Sequence, residues 1–480
     1  MKKLMLLAGI FAFLLSSCDL FGETDPIDED GVVKKNFKAQ SFKNGSFYSL
    51  EAGKLAENTR CTVWVERGAG ITKETAQKVA SEYSNNIYQK MISNFVTNKD
   101  GFNFETELAD INSDGKLVIL LLDIRDNYQK GVNESAVGGY FLWSDLFPNE
   151  ANSNGLAMIY IDTNPGIPGG TESNKTLAHE MQHLINEVTS QVLRYNGSQY
   201  LEMDTWIDEG LSCAAEWVYS GSHPTDRYGW YNNNGNGRGL INKGNNFYVW
   251  GNRSTESQYA EIDDYATAYL FFQWLRLQSS NGAGIYKDII GSASNNYQAV
   301  TSAASSRINA SYSNNWGGLL RDWLAANYIN ASNGRYGYGT ELRTLNKHLL
   351  TTKGTTPLYP GEGVFSKIDQ AYVDAGNKPG DAGNIKYSIL TTAPQDTLAV
   401  GALLAYNTNT VNTANTPSAN GTLTGVPASI SAGVSVDGRF VSPPVALSGP
   451  YWVSGGDVLR RNGMAVSPAG VSRPLIRVAR

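Results

Sequence analysis

Two of the four histidines in this sequence stand four residues apart in "TLAHEMQHLINE", and a glutamate directly follows the first. On a helix, positions i and i+4 share a face, so His179 and His183 can aim imidazole nitrogens at one ion. Glu180 then lies beside that ion without ligating it, where a carboxylate can take a proton from a metal-activated water. With so few histidines, chance produces this pair with a glutamate in that slot only about once in a thousand sequences. The spacing therefore predicts a zinc site that hydrolyses its substrate.

Catalytic zinc takes three protein ligands and keeps one position open. "WIDEGLSCAAEWV" supplies the third ligand: Glu209 opens a second helix, with 25 residues between it and His183. Glu216 is the rival, because seven residues on it lies near the same helical face. In the histidine-bearing helix, Leu177, Met181, Leu184, Ile185 and Val188 are placed to bury one side, with Asn174 as N-cap.

The two motifs together resemble those of the gluzincin metallopeptidases. His179-Glu180-Met181-Gln182-His183 is followed by Trp206-Ile207-Asp208-Glu209-Gly210, and "HEMQHLIN" with "DEGLSCAAE" is most similar to the hyicolysin-like family of secreted bacterial metallopeptidases. The resemblance runs from about Ala39 to Leu350, dense at the motifs and thin elsewhere. It implies His179, His183 and Glu209 as ligands of one catalytic Zn2+ and Glu180 as general base. It also implies a zincin-type α+β fold, with a mixed sheet, an active-site helix and a helical C-terminal subdomain. Asp208 stands where Asn is more usual. Cys213 stands where thermolysin-type enzymes carry the carboxylate that buttresses a zinc-bound histidine, leaving Asn186 or Glu216 for that role. His223, Tyr265 and Tyr269 are open alternatives for an oxyanion donor, each equally suited to packing. His348 reads as structural or exposed. The resemblance further places "GLAMIYID" at the cleft edge, where an extended peptide could add as a strand, so the expected activity is that of an endopeptidase on proteins or peptides.

Other elements must position these residues. From Lys73 to Phe95, Ala76, Val79, Ala80, Tyr83, Ile87, Met91 and Phe95 recur at helical spacing. "CTVWVE" alternates like a strand, and "KLVILLLDI" and "GLAMIYID" are continuous apolar runs suited to strands covered on both faces. Beyond Thr176 the pattern turns helical, notably at "DDYATAYLFFQWLRLQ" and "WGGLLRDWLAANYI", whose aromatic stripes are core rather than cofactor boxes. "DINSDGK" puts Asp110, Asn112 and Asp114 before Gly115 like the start of a calcium loop. Its twelfth position is the apolar Leu121, so Ca2+ rests on a partial motif that a tight turn into a strand also explains.

The ends of the chain carry different signals. Met1-Lys2-Lys3, an apolar run from Leu4 to Leu15, then Ser16-Ser17-Cys18 make a secretory signal, and Leu15 to Cys18 resembles a bacterial lipobox. Cleavage would leave Cys18 lipidated at the new N-terminus, anchored on the periplasmic side or the cell surface. An ordinary secretory signal with an incidental cysteine is the alternative. "DLFGETDPIDEDG" follows with six carboxylates and no base, suited to a solvated tether. The expected organisation is signal peptide 1–17, lipidated Cys and tether 18–37, α/β subdomain with the histidine helix 38–190, helical subdomain with the third ligand 191–375, and a small β-sandwich domain 384–480. Cys61 and Cys213 could pair in an oxidising compartment.

Hydrophobic residues are 41% of the chain and charged residues 18%, enough apolar material for a sizeable core, and 49 glycines fit long ordered loops. A net charge of -6 without a basic stripe argues against a nucleic-acid partner. A surface-binding adhesin on a peptidase fold is the competing function, which loss of Glu180 or of a ligand would have favoured.

Overall fold

The computed structural model describes residues 25–411, apart from 133–134, 245–246, 252, 254–255, 258, 350–357, 377 and 392–400, together with 451–454. Cys18, the signal segment and most of the region 384–480 lie outside the described residues.

Apolar alternation builds the first sheet. In β3 (Cys61–Glu66) and β4 (Leu117–Leu122), which run parallel, successive side chains point to opposite faces. Leu117, Ile119 and Leu121 thus join the core beneath the helices, while Val118, Leu120 and Leu122 join a second cluster on the other face. Each fully buried Leu or Ile contributes about 1.5–3 kcal/mol. β1 (Lys34–Gln40) and β2 (Phe47–Glu57) extend one side antiparallel. On the other side come β6 (Met158–Asp162), parallel to β4, then β5 (Ser135–Tyr140), antiparallel to β6, and finally β10 (Tyr451–Ser454).

The expected helix over 73–95 is interrupted. α1 (Lys73–Glu82), capped by the Thr72 hydroxyl, passes through a π-helical turn at Tyr83–Ile87 into α2 (Tyr88–Phe95). Tyr83, Ile87, Met91 and Phe95 recur every four residues, a period that drifts about 40° per step around an α-helix. The wider turn absorbs that drift, and all four remain buried.

α3 (Phe104–Ile111) leads to the turn before β4, where the calcium reading fails. Asn112 Nδ2 donates to the Lys116 and Ala157 carbonyls and its Oδ1 accepts from Ala157 N, so the side chain ties the sheet together. Asp114 accepts from Lys116 N in a tight turn. Neither Asp110 nor Asp114 belongs to a metal-competent group among the described residues.

β6 is not an open edge. It pairs with β4 along its length and with β5 through Tyr160 and Ile161. It therefore lies inside the sheet rather than at the edge. β5 also approaches the histidine helix closely, and a Cβ on Gly139 would stand 2.7 Å from Thr176 Cγ2. Its other side pairs in parallel with β10.

The helical half is assembled around Trp206. α4 (Thr171–Leu193) and α5 (Thr205–Ser220) pack side by side, and Trp206 meets the rings of Phe247, Tyr248, Phe271, Phe272 and Trp316 at 5.3–6.1 Å. A short helix α6 (Trp230–Asn233) precedes α7 (Ala260–Gln278), followed by α8 (Gly284–Ile290), α9 (Tyr297–Arg307) and α10 (Trp316–Ile329). α7 approaches α5 closely enough that a Cβ on Gly210 would fall 2.3 Å from Phe272 Cε2. The expected cap Asn174 instead lies inside α4, whose N-cap is Gly170. Among the described residues no helix is long and apolar enough to cross a membrane.

The C-terminal strands differ from the expected separate sandwich. β7 (Gly363–Ile368), which α11 (Gln370–Ala375) follows, pairs with β9 (Gly401–Asn407), and β9 pairs with β8 (Ile385–Thr391). This antiparallel layer begins before residue 384 and stacks Phe365 on Tyr328 of α10, while β10 belongs to the first sheet. Continuous apolar faces make the layer part of the helical core.

Asp145 tests the burial of a charge behind β6. Its carboxylate accepts from Tyr160 OH (2.6 Å) and Asn154 N (2.7 Å), yet burial pushes its pKa up to about 6. With a folded value above the unfolded one of about 3.9, its contribution to stability is complete below about pH 4 and lost as pH rises through about 6. An asparagine fits the protonated form, since its amide can donate to the Tyr160 oxygen while Tyr160 donates to Lys38 O at 3.1 Å. Asp145→Asn should therefore gain up to about 2–3 kcal/mol over the parent at pH 7.5 and nothing at pH 4, read by urea unfolding. An equal difference at both pH values sinks this account.

Candidate metal centre

α4 and α5 bring three donor atoms to one point. His179 Nε2 and His183 Nε2 each lie 3.5 Å from Glu209 Oε2, and the three residues can each offer an atom within 4.8 Å of the others. A tetrahedral ion with bonds of about 2.0–2.1 Å separates its ligand atoms by about 3.4 Å, so the spacing fits zinc. The two Nε2 atoms have no hydrogen-bond partner although both residues are buried. Buried polar groups left unmatched are costly, and an ion at this point would satisfy both.

The other face of each imidazole is occupied. His179 Nδ1 sits 2.9 Å from Glu216 Oε1, and His183 Nδ1 sits 2.9 Å from Asp208 Oδ2. A carboxylate at Nδ1 calls for the proton there, which turns the Nε2 lone pair toward the metal position. Burial alone would lower both histidine pKa values. Cys213, Glu209 and Glu216 around His179, and Asp208 and Glu209 around His183, outweigh it and raise both well above normal. Glu209 is likewise disfavoured by burial, yet the two imidazoles hold it below the usual carboxylate range. Four carboxylates (Glu180, Asp208, Glu209 and Glu216) surround two histidines, an excess of negative charge that suits a divalent cation.

Glu180 is 1% exposed, neither of its oxygens has a hydrogen-bond partner, and burial raises its pKa. The carboxylate thus makes no hydrogen bond that holds the fold together.

The expected roles sort differently behind this triad. Glu216 lies on the far side of His179 from Glu209 and acts as its buttress, not as the rival ligand. Asn186 does not touch a histidine; its amide donates to Asp208 Oδ1 at 2.6 Å and so holds the residue that buttresses His183. Asp208 was legible only as a departure from the usual Asn. His223 Nδ1 and Tyr269 OH are 2.6 Å apart, and His223 Nε2 lies 3.5 Å from Glu341 Oε2. The Tyr265 ring lies under the Arg227 guanidinium at 4.7 Å. His348 packs edge-on against Tyr231 in irregular chain, where burial takes its pKa down to about 4.

Arg227 was missed altogether. It comes from a π-helical turn (Thr225–Gly229) that carries no motif, and donates to Cys213 Sγ at 3.3 Å and Glu216 Oε1 at 3.2 Å. Cys61 and Cys213 are both buried and free, Cys213 against this guanidinium and Cys61 beside Asn58 and the Ala80 carbonyl.

No family model matches the sequence. The chain is 33% identical over 261 residues to the neutral metalloprotease ShpI of Staphylococcus hyicus, an alignment covering 52% of this chain and 53% of that protein. The chain thus spans about half the length of that relative, and the similarity supports a metallopeptidase.

His183 Nδ1 is held by Asp208 Oδ2 at 2.9 Å and by the Ser212 hydroxyl at 3.1 Å. As the charged partner, Asp208 carries most of that support, so Asp208→Ala should weaken zinc binding about 10- to 100-fold, measured by competition with a chromophoric chelator. Unchanged affinity would show that Ser212 and packing hold the imidazole without the carboxylate.

Proposed function

We propose that this chain is a zinc-dependent endopeptidase acting on extracytoplasmic proteins or peptides. The observation that carries the reading is the convergence of His179 Nε2, His183 Nε2 and Glu209 Oε2 with the unpaired Glu180 carboxylate alongside. His179, His183 and Glu209 would hold the ion. Zinc held there would supply Lewis acidity toward the scissile carbonyl and acidify the attacking water. Glu180 takes one proton from that water as its oxygen bonds to the carbonyl carbon, then delivers the proton to the amide nitrogen as the C–N bond breaks. Glu216 and Asp208 keep the two imidazoles oriented throughout. No side chain needs to form a covalent bond with the substrate. Lipidation at Cys18, with the acidic tether after it, would hold this catalytic body off a membrane surface.

Protein made from Asp19 onward should bind about one zinc per chain, as should its Glu180→Gln variant. Casein cleavage should fall at least about 100-fold in the variant. Zinc uptake without cleavage of a wide peptide set by the parent would turn the reading toward a binding protein, and no zinc uptake would remove it. Separately, cells making the full chain should incorporate a labelled fatty acid into it, and Cys18→Ser should abolish the label; an unlabelled parent excludes the lipid anchor.

A further inference from the structure

A second group of donors lies directly behind the first. His179, Cys213 and Glu216 can each offer a ligand atom within 4.8 Å of the others. Imidazole, thiolate and carboxylate are all zinc donors, and the two groups share His179. A metal drawn into the inner group would replace the proton on His179 Nδ1 and so disturb the charge and orientation of the ring whose Nε2 faces Glu209.

The space between the inner donors is spanned by a fixed cation. Arg227 Nε donates to Cys213 Sγ at 3.3 Å and Nη2 donates to Glu216 Oε1 at 3.2 Å. Its Nη1 is anchored by Asp226 Oδ2 at 2.9 Å, and its plane lies over the Tyr265 ring. Cys213, Glu216 and Arg227 are all buried. A guanidinium is not deprotonated in a protein, and its planar fork can bridge two acceptors as an ammonium cannot. Glu216 Oε1 is thereby shared between Arg227 Nη2 and His179 Nδ1.

We infer that Arg227 is a positioning residue that closes the Cys213–Glu216 group to metal and so commits His179 to the outer site alone. The inference rests on the metal-centre reading above. The thermolysin-type carboxylate position is here a cysteine, so this chain carries a soft ligand beside its zinc histidine and requires something to keep it out of coordination. The permanent charge of Arg227 meets that requirement without relying on the protonation state of the thiol.

Cobalt titration tests this, because Co2+ reports bound thiolate by a near-ultraviolet charge-transfer band. The parent should take up one Co2+ per chain with no such band, and Cys213→Ser should leave both observations unchanged. Arg227→Met and Arg227→Gln, which keep the bulk of the stem but lose the charge, should take up a second equivalent or show the thiolate band. Adding Cys213→Ser to either should remove the band. A parent that already shows the thiolate band overturns the inference, and this measurement stands even if both Arg227 variants fail to fold. Folded Arg227 variants with the parent's spectrum and stoichiometry overturn the inference alone. A parent that binds no cobalt overturns the metal-centre reading and the inference with it.

Discussion

The candidate centre depends on holding two imidazole nitrogens, each 3.5 Å from one carboxylate oxygen, on buried residues of two separate helices. Left to themselves, side chains on separate helices would turn away to find hydrogen bonds, because unpaired polar atoms are costly in a buried setting. The arrangement persists because its supports are rigid. α4 lies against the sheet, where Gly139 admits Thr176, and α5 is pinned by the aromatic enclosure of Trp206 and by the close approach of Phe272 to Gly210. Small residues at two contacts and a tryptophan at a third thus set the spacing of donors several residues away.

The two histidines are equivalent as ligands but not in how they are held. Behind His179 lie the buried Glu216 and Arg227, a carboxylate and a permanent cation, with the partly exposed Asp226 at the end of the chain. Behind His183 lies Asp208, whose partner is the neutral Asn186 amide and whose side chain is 20% exposed. Hydrogen bonds to charged groups are stronger than neutral ones, and buried ones are screened less. His179 therefore has the more deeply buried support, whereas His183 Nδ1 is shared between Asp208 and Ser212.

The parts of the site legible in the sequence were those fixed by local periodicity. His179, Glu180 and His183 share one helical turn and were singled out by spacing, whereas spacing left Glu209 and Glu216 as rivals and only resemblance to a second motif favoured Glu209. The apolar runs of β3, β4 and β6 were equally plain. Asp208, Asn186 and Arg227 were not legible in their roles, because each depends on how α4, α5 and the Thr225–Gly229 turn pack, and periodicity within one element says nothing about distances between elements. The same limit explains β6: an apolar strand covered on both faces looks identical in sequence whether it lies inside a sheet or at its edge. The π-helical turn in the first long helix was present as a four-residue drift in the apolar spacing, a signal too small to separate from a regular helix without the structure.

The surplus of carboxylates around α4 and α5 has a thermodynamic consequence for the whole chain. Glu180, Glu209, Asp208 and Glu216 repel one another, and an ion that binds the folded centre but not the unfolded chain stabilises the fold by RT ln(1 + [ion]/Kd). At a free concentration one hundred times the dissociation constant this amounts to about 2.7 kcal/mol, a sizeable share of the net stability of an ordinary domain. Since α4 and α5 join the sheet to the helical half, that linkage acts on the seam between the two. An ion held at this centre would thus support the packing of the two halves as well as any chemistry carried out there.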